Sequence, residues 1–121
     1  MTLQQEMLRC RKWLEAALDV GGNTHTFLDV AEKVISGHLQ LWPAEKGCVV
    51  TEIIVYPNKK VLHFFLAGGK LEQITDMQDD IIEWAKVQGC QEMSLSGRLG
   101  WKKALKNLGW EQKSVILQRE I

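Results

Sequence analysis

The run Cys48–Tyr56 (CVVTEIIVY) constrains the fold more than any other stretch of the chain. Its density of β-branched residues reads as a strand. Pro57-Asn58-Lys59-Lys60 reads as a turn, so Lys60–Leu66 (KVLHFFL) becomes the antiparallel partner of that strand. Ala67-Gly68-Gly69-Lys70 should break the second strand. Leu71–Val87 then forms the longest helix, with Ile74, Met77, Ile81, Ile82, Trp84 and Ala85 on its apolar face and Asp76, Asp79, Asp80 and Glu83 on its wet face. Gly89 caps that helix and Cys90–Leu95 is another strand. A strand, a helix and a strand in succession call for a right-handed crossover, and with the hairpin this makes a mixed α/β sheet.

The chain on either side fits the same plan. Leu3–Leu18 has apolar residues at helical spacing and ends at Asp19-Val20-Gly21-Gly22. Thr26 is a suitable N-cap for a second helix, Phe27–Ile35, which Gly37 stops. His38–Trp42 alternates like a short strand, ended by Pro43. After Ser96 comes a short helix in which Leu99, Ala104, Leu105 and Leu108 alternate with Lys102, Lys103 and Lys106. Gly109 is its C-cap. Glu111–Ile121 (EQKSVILQREI) alternates polar and apolar residues and reads as a closing strand. The expected organisation is a single domain: residues 1–36 as helices, 37–66 as a strand and hairpin, and 67–121 as loop, helix, strand, helix and strand.

Charge balance narrows the classes of partner. Lys plus Arg equals Asp plus Glu at 15 each, so a global attraction to nucleic acid or a membrane surface has no basis. No apolar run approaches the roughly 20 residues of a membrane span. The start of the chain is too polar for a secretory signal, so a cytoplasmic protein is expected. Three cysteines (Cys10, Cys48, Cys90) and three histidines (His25, His38, His63) are scattered with no metal-ligand spacing, and the thiols read as small buried hydrophobes.

The stretch Ser96–Trp110 (SGRLGWKKALKNLGW) resembles the end of a GCN5-related N-acetyltransferase (GNAT) domain, whose members often close with N-x-x-A-x-x-L-Y-x-K-x-G-F. With Gly109-Trp110 set on the Gly-aromatic pair, Arg98 stands where the family has Asn and Trp101 where it has the small residue. Leu105 stands where many active members carry the Tyr that serves as general acid. The element order from Trp42 onward is also similar to a GNAT domain. The resemblance implies a twisted mixed sheet with helices on both faces. The AGGK, GCxE and GRxGW runs are similar to small uncharacterised GNAT-like proteins of tailed phages and prophages.

Ala67-Gly68-Gly69-Lys70 precedes a helix N-terminus, where backbone N–H groups and the helix dipole can hold a phosphate. The resemblance makes this the loop for the pyrophosphate of acetyl-CoA, although the leading Gln/Arg and the G-x-G spacing of the family's Q/R-x-x-G-x-G/A are missing. A plain Gly-Gly turn is the competing reading. Glu52, in an otherwise apolar strand, is a candidate general base for an amine, set against a carboxylate that merely pairs with a nearby Lys. His63 shares a face with Val61 and Phe65. It is either a base or a half-buried histidine with a satisfied hydrogen bond, and no Ser or Cys is placed beside it by sequence logic. Arg98, Trp101, Lys102 and Trp110 form a basic, aromatic element that reads as a protein-contact surface or as two core tryptophans beside solvated lysines.

Two functional expectations follow. The leading one is a non-catalytic GNAT-like protein of a phage or prophage, structural or acting in assembly, with other protein chains or copies of itself as partners and no cofactor. It would reside in the host cytoplasm or the virion. The missing Tyr, the altered loop and the five tryptophans motivate it. The alternative is an acyl-CoA-dependent N-acyltransferase with acetyl-CoA on the Ala67–Lys70 loop.

Overall fold

The computed structural model describes residues 1–97 and 99–121. Three helices lead: α1 (Leu3–Arg9), α2 (Arg11–Val20) and α3 (Phe27–Ile35). Strands β1 (Gln40–Ala44), β2 (Gly47–Val55) and β3 (Lys60–Gly69) follow, then α4 (Leu71–Asp76), α5 (Gln78–Val87), β4 (Glu92–Leu95) and α6 (Leu99–Leu105). A short 3-10 helix, Lys106–Leu108, continues α6. The sheet order is β1-β2-β3-β4, antiparallel for the first two pairs and parallel for β3 with β4. The mixed α/β sheet of the sequence reading is therefore present.

Two apolar layers cover the sheet. On one face Met7, Cys10, Leu14, Leu18, Val30 and Val34 from α1–α3 pack on Cys48, Val50 and Leu66. On the other, Ile81 and Ala85 of α5 pack on Leu62, with Trp42, Ile53, Phe64, Trp84 and Met93 around them. Trp42 and Trp84 meet edge-on at 5.6 Å. Buried Thr51 donates to Gln40 Oε1 at 2.8 Å and accepts from Trp42 Nε1 at 3.0 Å, so its hydroxyl is satisfied where β1 joins β2. The expected Thr26 cap is present as a reciprocal capping box with Asp29. Asp29's carboxylate, accepting from the Thr26 N–H, is held below its ordinary pKa.

Several boundaries differ from the sequence reading. The first helix divides at Cys10 and the long helix at Met77, two residues that keep right-handed φ/ψ but with ψ near zero, which kinks the path. Pro43 sits inside β1 rather than ending it, which an edge strand tolerates because the missing N–H need not pair. β3 does not break at Ala67. It stays paired through Gly69, opposite Gly47. The expected closing strand Glu111–Ile121 does not form, and that segment has no regular structure. Alternation gives a segment strand potential, but the potential is realised only against a paired edge.

β3 carries one irregularity that shapes everything near it. Val50 pairs with Leu66 while Thr51 pairs with Phe64, so Phe65 is an extra residue, a β-bulge. Phe65 and Leu66 consequently face the same apolar layer, in violation of strict alternation.

The paired glycines are explained by packing. A Cβ on Gly68 would lie 2.8 Å from the Trp13 Cβ and 2.9 Å from the Trp13 carbonyl oxygen, so only glycine lets α2 approach β3 this closely. Gly69 has φ of +98° and a Cβ there would lie 2.3 Å from both Gly47 Cα and Lys46 O. Gly68→Ala should therefore cost about 1–3 kcal/mol of stability through overpacking. Gly69→Ala should cost more, because backbone strain adds to the clash. Urea unfolding of the two variants checks this, and wild-type stability in either would contradict it.

Candidate functional site

β3 and β4 stay together for only four residue pairs, from Val61↔Glu92 to Phe64↔Leu95. β3 then bulges at Phe65 and continues to Gly69, whereas β4 has ended. The two strands part, and a cleft of about 670 Å³ opens between them. Its walls are Trp13, Ala17 and Val20 of α2, the β3 run 64–69, Leu95 at the end of β4 with Ser96 and Gly97 after it, and Trp101, Leu105 and Trp110. That volume lies within the roughly 300–1,000 Å³ of small-molecule sites, and the mix of aromatic walls with a few polar groups (Thr75, Gln78, Ser96) is typical of them. Along Phe65–Gly69 the β3 edge turned toward the cleft has no strand partner among the described residues, which leaves its N–H and C=O groups for a ligand.

Ala67, Gly68 and Gly69 line this cleft as strand rather than as a loop. Lys70 is exposed, and its N–H is spent on Lys46 O at 2.7 Å. Helix α4 behind it has six residues and no side-chain cap. Ala67–Gly69 thus meet the cleft as an extended strand end rather than as a free loop ahead of a helix.

Trp101, Leu105 and Trp110 face inward. Trp110 meets Phe64 edge-on at 5.5 Å, and its indole N–H donates to Gln78 Oε1 at 2.9 Å. Leu105 is buried and lines the cleft. The chain's one tyrosine, Tyr56, lies at the far end of β2, where its N–H donates to Lys59 O at 2.8 Å. Lys102 is exposed, as a solvated lysine would be. Arg98 lies outside the described residues.

The two candidate bases come together. Glu52 is the register partner of His63 across β2 and β3, and His63 is the partner of Ser94 across β3 and β4. Paired residues point to the same face, so the three form one polar row across the sheet. His63 Nδ1 and Ser94 Oγ are hydrogen-bonded at 2.9 Å. The row lies one residue from Phe64↔Leu95, the last pair before the strands part. Sequence logic placed no hydroxyl beside His63. The structure supplies Ser94, because a parallel crossover sets residues 31 positions apart side by side. Burial pushes the His63 imidazole below its ordinary pKa, and the charge of Glu52 opposes this only in part.

Among the described residues no group of His, Cys, Asp and Glu could hold a metal ion. Nor is any helix among the described residues long and apolar enough to cross a membrane. Cys10 and Cys48 are buried and unbridged, and burial pushes both thiols up, so they act as hydrophobes.

No family model matches the chain. No curated protein matches it in sequence. Solved structures do match, at low identity. The aminoglycoside N-acetyltransferase AAC(6')-Iy in complex with CoA aligns with a TM-score of 0.75 and 17% identity over 98% of this chain and 91% of its own. A predicted acetyltransferase with acetyl-CoA from Clostridium acetobutylicum has a TM-score of 0.69 and 12% identity over 98% and 92%. A transcriptional regulator from Bacillus halodurans C-125 has a TM-score of 0.73 and 12% identity over 99% and 96%.

The fold is GNAT-like. That bears out the architecture expected from Ser96–Trp110 and the element order. The expected resemblance to phage and prophage proteins is not shown by these structures.

His63 gives a pH test. The unfolded chain takes up this proton near the ordinary pKa of 6.5, the folded chain only at lower pH. The stability it contributes is fully present above 6.5 and is lost as pH falls through that value toward the folded pKa. The stability advantage of wild type over His63→Gln should therefore shrink between about pH 7.5 and 5.5, read by chemical denaturation at each pH. A constant difference would contradict the assignment.

Proposed function

We infer that this protein is an acyl-CoA-dependent N-acyltransferase. The observation that carries the reading is the open cleft between the parted ends of β3 and β4; the row Glu52–His63–Ser94 lies one residue along the strands from it and is not part of its lining. A non-catalytic protein has no need to hold two neighbouring strands apart. A plugged gap would suit the phage structural role, and this gap is open. The solved structures of similar fold include acetyltransferases bound to CoA and acetyl-CoA, which supports the same choice.

The residues present fit an acyl-CoA. The unpaired β3 edge from Phe65 to Gly69 would hydrogen-bond the amide-bearing arm, as an added strand would, with Trp101, Leu105 and Trp110 against its apolar parts. When bound, acyl-CoA supplies an activated acyl group as a thioester. The chain's own contribution is to position an amine next to that group and remove its proton. His63 suits this task because its lowered pKa keeps it unprotonated at neutral pH, the state a general base needs. Ser94 holds the imidazole through Nδ1, and Glu52 stabilises the imidazolium formed when the proton arrives. Leu105 offers no acidic proton at its place in the cleft, so protonation of a leaving thiolate there would fall to solvent.

The test is thiol release from acetyl-CoA in the presence of a panel of primary amines, aminoglycosides included. Amine-dependent release is expected, with the rate falling at low pH as His63 protonates. His63→Gln should lower kcat by about 10²-fold or more. Unchanged kcat in that variant would remove His63 from the chemistry, and no release with any amine would count against the reading itself.

A further inference from the structure

The cleft has two sides, and they differ in what they offer. Toward α4 and α5 it presents the polar groups of Thr75 and Gln78. Toward α2 it presents Trp13, Ala17 and Val20, then Gly22 and the bulged Phe65. Among the described residues that line the cleft, none is Asp, Glu, Lys or Arg. Val20 is 55% exposed, so an apolar side chain is left open to solvent where it borders the cleft. The Arg9 guanidinium already lies over the Trp13 ring, 5.8 Å from its centroid. Phe65 stands two residues from His63 on the same face of β3, and Glu52 pairs across from His63 on β2.

Such surroundings restrict a ligand amine in two ways. Apolar walls disfavour the ammonium form, which helps the nitrogen to lose a proton and become a nucleophile. A second ammonium on the same molecule would be desolvated with no carboxylate in the lining to pair with it. Polyamines and polyamino sugars are therefore poorly matched to this side, whereas an aromatic body suits the rings of Trp13 and Phe65. We propose that the α2 side of the cleft takes an apolar monoamine, a primary amine on an aromatic body, with the body against Val20, Ala17 and Phe65 and the nitrogen toward His63. Its role as acyl acceptor rests on the acyltransferase reading; its binding does not. In the transfer the nitrogen forms a C–N bond to the acyl carbon as the C–S bond breaks. One proton of the nitrogen passes to His63, and the sulfur leaves as a thiolate. Glu52 supplies a negative charge beside His63, enough for the single positive charge that the amine and then the imidazolium carry.

Binding and turnover are measured separately. NMR saturation transfer from the protein to the ring protons of phenylethylamine, with and without CoA, reads the site without an acyl donor. Transfer is expected, and Val20→Asp should weaken the affinity by about tenfold. Val20 is exposed, so the variant should fold, with unchanged far-UV circular dichroism. In thiol release from acetyl-CoA, kcat/KM for phenylethylamine should exceed that for spermidine by about tenfold or more, and Val20→Asp should narrow the ratio. A kcat/KM for spermidine or an aminoglycoside equal to or above that for phenylethylamine would overturn the proposal and leave an acyltransferase. No saturation transfer in either state, or equal affinity in Val20→Asp, would overturn it as well. Saturation transfer that Val20→Asp weakens, with no thiol released with any amine, would uphold the amine site and remove the acyltransferase reading.

Discussion

The bulge at Phe65 is the constraint from which the rest of the site follows. One extra residue in β3 bends the strand where its pairing with β4 ends, at Phe64↔Leu95. A straight β3 would keep β4 alongside it, and no space would remain. Because β3 is held on its other edge by β2 through Gly69, it stays extended beyond the bulge and can form one wall of a cleft. The glycines at its end serve the same purpose. They let α2 and the β1–β2 turn close over the strand, which fixes the wall in place. Trp101, Leu105 and Trp110 supply further walls, with Trp110 edge-on against Phe64 of β3.

The proposed chemistry depends on where this bend falls relative to the polar row. Glu52, His63 and Ser94 share one face of three successive strands, a position each could reach only through tertiary pairing. The helices α1–α3 cover that face over Cys48, Val50 and Leu66. At the edge of this layer His25 meets Phe65 edge-on at 4.9 Å. His63 is half-buried there, which is enough to keep it neutral without sealing it from solvent. A neutral imidazole one residue along the strand from a cleft is a candidate acid–base group.

Much of the fold was legible because local patterns and tertiary structure agree. The hairpin, the Thr26 cap, the strand–helix–strand crossover and the Gly109 cap, with φ of +86°, all rest on residue types whose preferences act locally. The GNAT-like architecture was legible in the same way, from element order and the Gly-Trp turn. The site was less so. Glu52 and His63 stood out as polar residues in apolar strands, but Ser94 did not, since its role arises from pairing across a crossover. The Gly68-Gly69 pair was misread as a loop because two glycines signal a turn and close backbone packing alike. The bulge left no mark in Phe-Phe-Leu, and the alternation of Glu111–Ile121 could not reveal which edge, if any, would receive it.

The proposed occupant of the gap between β3 and β4 is an acyl-CoA. Calorimetric titration of the folded protein with acetyl-CoA measures this without knowledge of the acceptor. Ser96→Trp serves as the control, because Ser96 is exposed, lines the cleft and can be enlarged into it without disturbing the core. Micromolar binding that is lost in Ser96→Trp is the predicted result. No heat at millimolar ligand, or equal affinity in the variant, would contradict the account.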